Sequence, residues 1–106
     1  MQRVCFTRMV KVDKMAEYVR DHENVWPDML QALRDTGWHN YSLFLRDDGM
    51  LIGYFETPDL EAAVAGMEAL EVNERWQQAM ADYFVTEPGK RHDDEFVSWP
   101  QVFYLE

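Results

Sequence analysis

Apolar and polar residues along the first third of the chain follow two different spacings. Residues 3–10 (RVCFTRMV) are rich in β-branched and aromatic side chains, which is typical of a strand. From Met15 onward apolar residues recur every three or four positions, as on one face of an amphipathic helix, and Gly37 follows as a helix-ending glycine. That face comprises Tyr18, Val19, His22, Val25, Trp26, Met29, Leu30 and Leu33. The pattern predicts a strand followed by a helix.

The middle of the chain predicts a β-hairpin followed by two helices. Residues 38–45 and 50–56 are both strand-like, and the RDDG segment between them ends in the Asp-Gly pair that supports hairpin turns. Thr57 and Pro58 are the expected N-cap and first residue of the next helix, and Asn73 is the expected N-cap of a further one.

The end of the chain predicts a loop and a last strand. Residues 86–95 (TEPGKRHDDE) are charged and aperiodic, which is typical of a surface loop, and residues 101–106 (QVFYLE) are strand-like. The resulting order, β-α-β-β-α(α)-β, predicts an α+β ferredoxin-like sandwich with helices on one face of an antiparallel sheet. Residues 1–106 are expected to form a single domain.

In two predicted strand segments, the residues that would point to either face of the sheet are largely apolar. These segments are residues 41–45 and residues 102–105. A sheet with one face in water should alternate, so both faces are expected to be covered. Helices cover only one face in this topology. A homodimer in which the two sheets pack against each other is therefore predicted. The alternative is that loops of the same chain cover the second face of the sheet.

Composition narrows the range of ligands. Ten Lys and Arg residues against twenty Asp and Glu residues give a net charge of −10, which disfavours nucleic acid and anionic membrane surfaces and favours a neutral small molecule. Cys5 is the single cysteine, so no intrachain disulfide is possible. The N-terminus has no leader pattern, and a cytoplasmic protein is expected. His22, His39 and His92 lack the short spacing of metal ligands, and no metal or cofactor is expected.

Acid–base chemistry by histidine and tyrosine is what the remaining residues offer. Tyr18 and His22 are four apart, which places them on one helical face. Pro27 cannot donate a helical hydrogen bond, so the helix is expected to kink or restart there, with His22 near a helix end. Histidine has a reference pKa near 6.5, which suits a general acid. A packed core or interface histidine is the alternative reading.

Two aromatic residues could bind a ligand beside this histidine. Alternation along the first hairpin strand sends Tyr41 to one face with His39, Leu43 and Leu45, and Trp38 to the other face with Asn40, Ser42 and Phe44. Tyr41 could hydrogen-bond a ligand that lies on the sheet. Trp76 could stack against the apolar face of a sugar, and each of the two aromatics could instead fill the core.

Several spaced motifs together resemble the L-rhamnose mutarotases. They are EYVRDHENVWPDM at 17–29, GWHNYSLFL at 37–45, ERWQQAM at 74–80 and VFYL at 102–105. The resemblance implies a ferredoxin-like homodimer that interconverts the α and β anomers of L-rhamnose without cofactor or metal. It also implies that His22 is the proton donor and that Tyr18, Tyr41, Trp76 and Gln77 bind the sugar.

The chain departs from the family pattern at two positions. Gln77 stands where a second tryptophan is common, and Gln101 stands where a glutamate is common. An amide can still hydrogen-bond a sugar hydroxyl, but sugar preference could differ. Two other functions stay open at this point: a non-catalytic dimer that binds a sugar or another small molecule, and a cofactor-independent monooxygenase on the same scaffold.

Overall fold

The computed structural model describes residues 1–85 and 97–106. A four-stranded antiparallel sheet has the order β2-β3-β1-β4, with β1 at Gln2–Met9, β2 at His39–Leu45, β3 at Met50–Thr57 and β4 at Val97–Trp99. The helices are α1 (Met15–His22), α2 (Pro27–Asp35), α3 (Leu60–Glu68) and α4 (Glu71–Met80), with 3-10 turns at Val12–Lys14 and Ala81–Tyr83. The predicted α+β ferredoxin-like fold is confirmed.

The core lies between the helices and one face of the sheet. Residues of β3 alternate strictly between half-buried and buried, and the buried set continues across β1, as period-two strands require. The fully buried Phe55 is stacked on Trp38 at 4.0 Å between ring centroids. None of the helices in residues 1–85 and 97–106 is long and apolar enough to span a membrane.

The helix break at Pro27 occurs as the sequence predicts. Helix α1 ends at His22, and α2 begins with Pro27 in its first turn, where the missing N–H of proline costs nothing. Gly37 has a φ of +93°, the left-handed conformation expected of a glycine just past a helix end.

The last strand is placed wrongly by the sequence pattern. Strand β4 consists of Val97–Trp99, whereas residues 101–106 have no regular secondary structure. Val102, Phe103 and Leu105 are 93%, 76% and 79% exposed. Their apolar character therefore does not reflect a place in this sheet. The predicted loop at 86–95 lies outside the described residues.

Helix starts also differ from the prediction. Helix α3 begins two residues later than expected, because the carboxylate of Asp59, rather than Thr57, accepts the N–H of Ala62. Helix α4 begins at Glu71, so Asn73 lies inside its first turn and is not its N-cap.

Candidate active site

His22 is held at the end of α1 by a hydrogen bond to its own helix. Its Nδ1 lies 2.8 Å from the carbonyl oxygen of Tyr18. A carbonyl can only accept, so Nδ1 carries the proton, and the tautomer is fixed. Nε2 is then the other ring nitrogen of a residue that lines a cavity, and it is an acceptor when the ring is neutral and a donor when the ring is protonated.

Two aromatic rings contact this imidazole. The Tyr18 ring lies 4.2 Å from it between centroids, as the spacing of four residues requires, and the Trp76 ring meets it at 5.4 Å with an interplanar angle of 86°. Trp26 meets Trp76 edge to face at 5.0 Å. These contacts leave the imidazole few rotamers, so its orientation is set before a ligand arrives.

A cavity of about 540 Å³ opens beside His22, within the range of small-molecule sites. A second cavity of about 210 Å³ adjoins it toward the sheet. Their common wall includes His22, Tyr41, Trp76 and Gln77, and Tyr18 lines the smaller one. The structure therefore brings all five candidate residues of the sequence analysis to one place.

Tyr41 reaches the cavity because of an irregularity in β2. The register of β2 against β3 shifts between His39 and Ser42, and Asn40 between them has a φ of +49°. This bulge breaks the simple alternation. Trp38 consequently lies 5.3 Å from Tyr41 and stacks on the core, so the prediction that they occupy opposite faces is wrong.

Both site tyrosines stay protonated near neutral pH. Burial raises the pKa of the Tyr41 phenol, although the residue as a whole is 38% exposed. Burial also raises the pKa of the Tyr18 phenol, Tyr41 adds to the rise, and the positive charge of Arg8 opposes it. The two phenols can therefore donate hydrogen bonds or relay protons, but they do not serve as phenolate bases at neutral pH.

Arg8 is a cavity residue that the sequence analysis missed. It lies on the inward parity of β1, is 8% exposed and lines the smaller cavity with Tyr18. Its guanidinium carbon lies 3.7 Å from the centroid of the Phe84 ring, a cation–π contact. The sequence did contain a signal for it, because Arg8 continues the inward-facing positions of Val4 and Phe6 in β1 and is the charged residue among them.

Metal ligation finds no support among the described residues. Within 1–85 and 97–106, no three His, Cys, Asp or Glu side chains lie close enough together to hold a metal ion. His92 and the acidic residues 93–95 lie outside the described residues.

Comparison with known proteins identifies the family. The sequence model of the L-rhamnose mutarotase family matches residues 3–105. The chain belongs to the L-rhamnose mutarotase family. An L-rhamnose mutarotase of Bacillus subtilis (strain 168) is 35% identical over 107 residues, which cover 100% of both chains. The resemblance noted from the motifs is therefore confirmed.

Solved structures agree on the fold. The crystal structure of an L-rhamnose mutarotase from Formosa agariphila superimposes with a TM-score of 0.83 at 23% identity, with 100% of both chains covered. An antibiotic biosynthesis monooxygenase has a TM-score of 0.62 at 17% identity and covers 96% of this chain and 99% of its own. At these identities the likeness concerns the fold alone.

Proposed function

We propose that this chain interconverts the α and β anomers of L-rhamnose, with His22 as the acid–base residue. Membership in the L-rhamnose mutarotase family supports the reaction. The observation that carries the residue assignment is the imidazole of His22, whose Nδ1 is bound by a backbone carbonyl at the wall of a cavity that also contains Trp76. Trp76 offers an aromatic surface to the apolar face of a pyranose.

Anomer exchange needs two proton movements. A protonated His22 Nε2 gives its proton to the ring oxygen O5, the anomeric O1–H loses its proton, and the C1–O5 bond breaks to leave the aldehyde. Rotation about C1–C2 and the reverse transfers close the ring on the other face of C1. Tyr18 or Tyr41, or a water that they hold, relays the second proton, since both phenols are protonated.

The test is the variant His22→Gln, followed by saturation-transfer NMR between the two anomeric signals of L-rhamnose. A positioned acid–base group contributes about 10²- to 10⁴-fold, so the enzymatic exchange should fall by about that factor. Glu74→Gln removes an exposed titratable group from α4 and is the matched control, with wild-type exchange expected. Near-wild-type exchange in His22→Gln would remove His22 from the mechanism.

Two further measurements separate the alternatives. Unaltered sugar binding by calorimetry, without exchange faster than in buffer, would indicate the sugar-binding dimer without catalysis. Oxygen consumption with a quinol and indifference to L-rhamnose would indicate a monooxygenase. The solved monooxygenase structure is 17% identical and supports only the shared fold.

We also propose that two copies pair through the sheet face that the helices leave uncovered. Phe44 of β2, Val97 and Trp99 of β4, and Met9 of β1 are 60%, 49%, 54% and 38% exposed on the described chain. Trp99 is paired in register with Cys5, and its indole N–H donates to Thr7 Oγ1 at 2.9 Å, which places it over the outward face of β1. Contiguous exposed apolar surface of this kind is typical of an interface.

Light scattering after size-exclusion chromatography tests the pairing. The wild-type chain should elute as a dimer, and Phe44→Lys should shift it toward monomer, because a charge would be buried at the interface. Val19→Lys, at an exposed apolar residue of α1, is the control and should stay dimeric. A monomeric wild type would contradict the proposal.

A cytoplasmic location remains a prediction from the sequence.

A further inference from the structure

A buried cation lines the smaller cavity together with the residues of the proposed acid–base chemistry. Arg8 is paired in register with the buried Leu51 of β3, so its side chain lies on the face of the sheet that the helices cover. Tyr18, His22 and Tyr41 line the same cavity. The proposed mechanism assigns no role to this guanidinium.

Arg8 and Tyr18 both contact the ring of Phe84. The guanidinium carbon of Arg8 lies 3.7 Å from the centroid of that ring. The Tyr18 ring meets it edge to face, at 5.7 Å between centroids and an interplanar angle of 78°. Phe84 is itself buried, so this ring fixes the guanidinium relative to the phenol. The charge acts on the phenol: burial and Tyr41 raise the pKa of Tyr18, and Arg8 opposes the rise.

A guanidinium is a costly side chain for this position. Burying a charge lowers stability unless the interactions of that charge offset its desolvation. The cation–π contact with Phe84 offsets part of the cost, but an apolar side chain would extend the core without any such cost. Glu68 also lines the cavity, but it is exposed on α3, where solvent screens its charge.

The second proton movement is a step that a buried cation can assist. Tyr18 relays the proton of the anomeric O1–H only if it releases its own phenolic proton while it takes up the one from O1. Negative charge then develops on O1 and on the phenol oxygen, and burial disfavours that charge. A positive charge that is already fixed nearby stabilises it without reorganisation of solvent. For Tyr41, the cause of the pKa shift found in the described part of the chain is burial.

We propose that Arg8 is a positioning residue for the second proton transfer, and that its guanidinium, held on the Phe84 ring, stabilises the negative charge that develops while Tyr18 relays the O1–H proton. Tyr18, rather than Tyr41, is then the relay. L-rhamnose is neutral, so this charge contributes to the transition state more than to binding of the ground state. The inference rests on the proposed function, which supplies the reaction.

Saturation-transfer NMR at several L-rhamnose concentrations gives kcat and KM for anomer exchange, with kcat referred to the folded fraction measured by circular dichroism. Arg8→Met and Arg8→Gln both remove the charge, and each should lower kcat roughly 10-fold with little change in KM. Arg8→Lys keeps the charge and should retain most of the wild-type kcat. Arg20→Met removes an exposed positive charge from α1 and should leave both constants unchanged.

Two further backgrounds show whether Arg8 acts through Tyr18. In a Tyr18→Phe background, Arg8→Met should lower kcat little further, because the group on which Arg8 acts is gone. In a Tyr41→Phe background it should still lower kcat roughly 10-fold.

Three results would overturn the inference while the proposed function stands. They are a wild-type kcat in Arg8→Met, a loss in Arg8→Lys as large as in Arg8→Met, and an equal effect of Arg8→Met in the two tyrosine backgrounds. A wild-type chain that does not accelerate anomer exchange would overturn the inference and the proposed function together.

Discussion

Replacing Gly53 with alanine should destabilise the fold, because the added methyl group would clash with the ring of Phe6. Gly53 is paired in register with Phe6 on the neighbouring strand, and the Phe6 ring lies across the space where a Cβ would be. A Cβ built on Gly53 comes within 3.0 Å of three atoms of that ring, the farthest of them, Cε2, at 2.7 Å. Phe6 is only 4% exposed, so the ring must move within packed surroundings.

The size of the effect follows from two opposing contributions. Overpacking a core costs about 1–3 kcal/mol. Alanine gains roughly 0.4–1 kcal/mol over glycine because the unfolded chain has fewer conformations, and the backbone at Gly53 does not require a positive φ. The net loss in free energy of unfolding should be about 1–2 kcal/mol, or roughly 4–16 °C in Tm for a domain of this size.

A double-mutant cycle tests this explanation. The free energy of unfolding is measured by urea denaturation, at one fixed protein concentration, for the wild type, Gly53→Ala, Phe6→Leu and the double variant. Leucine is smaller than phenylalanine, so Gly53→Ala should cost nothing, or stabilise slightly, in the Phe6→Leu background. The coupling free energy should therefore nearly equal the cost of Gly53→Ala alone. Equal destabilisation in both backgrounds would show that the ring contact is not the cause, and the reasoning would fail.

Two further predictions concern a helix cap and the site tyrosines. Asp59→Ala removes the side-chain cap of α3 and should lower the free energy of unfolding, measured by urea denaturation, by about 1 kcal/mol. Asp59→Asn keeps a hydrogen-bond acceptor and should lower it much less. Equal losses in the two variants would contradict the capping role. Because the pKa values of Tyr18 and Tyr41 are raised on folding, their contribution to stability is complete below about pH 10 and is lost as the pH rises through the folded values. Urea denaturation between about pH 9 and 12 should show this loss in the wild type and a smaller one in a Tyr18→Phe, Tyr41→Phe double variant; an identical decline in both would refute the assignment.

The sequence was sufficient for features that depend on local spacing. The helix break at Pro27 and the contact between Tyr18 and His22 both follow from rules that act within a few residues. Strand β4 was misplaced because residues 101–106 are as strand-like as Val97–Trp99, and only pairing with β1 distinguishes them. Composition cannot show which of two similar segments finds a partner strand.

The site was predicted less completely, for a related reason. The bulge between His39 and Ser42 brings Trp38 and Tyr41 to the same side, and a pattern of alternating residues contains no sign of an inserted position. Asn73 resembled a cap because asparagine is favoured at helix starts. Leu70 takes that position instead, and Asn73 is turned to the cavity.

The arrangement around His22 assigns separate tasks to the backbone and to the side chains. A backbone carbonyl fixes the tautomer, so the proton on Nδ1 does not depend on any substrate or on a neighbouring carboxylate. Burial raises the pKa of both phenols, so Tyr18 and Tyr41 stay protonated at neutral pH and can act only as hydrogen-bond donors, acceptors or proton relays. Helix α4 supports this arrangement through Trp76, whose ring meets the imidazole at 5.4 Å between centroids.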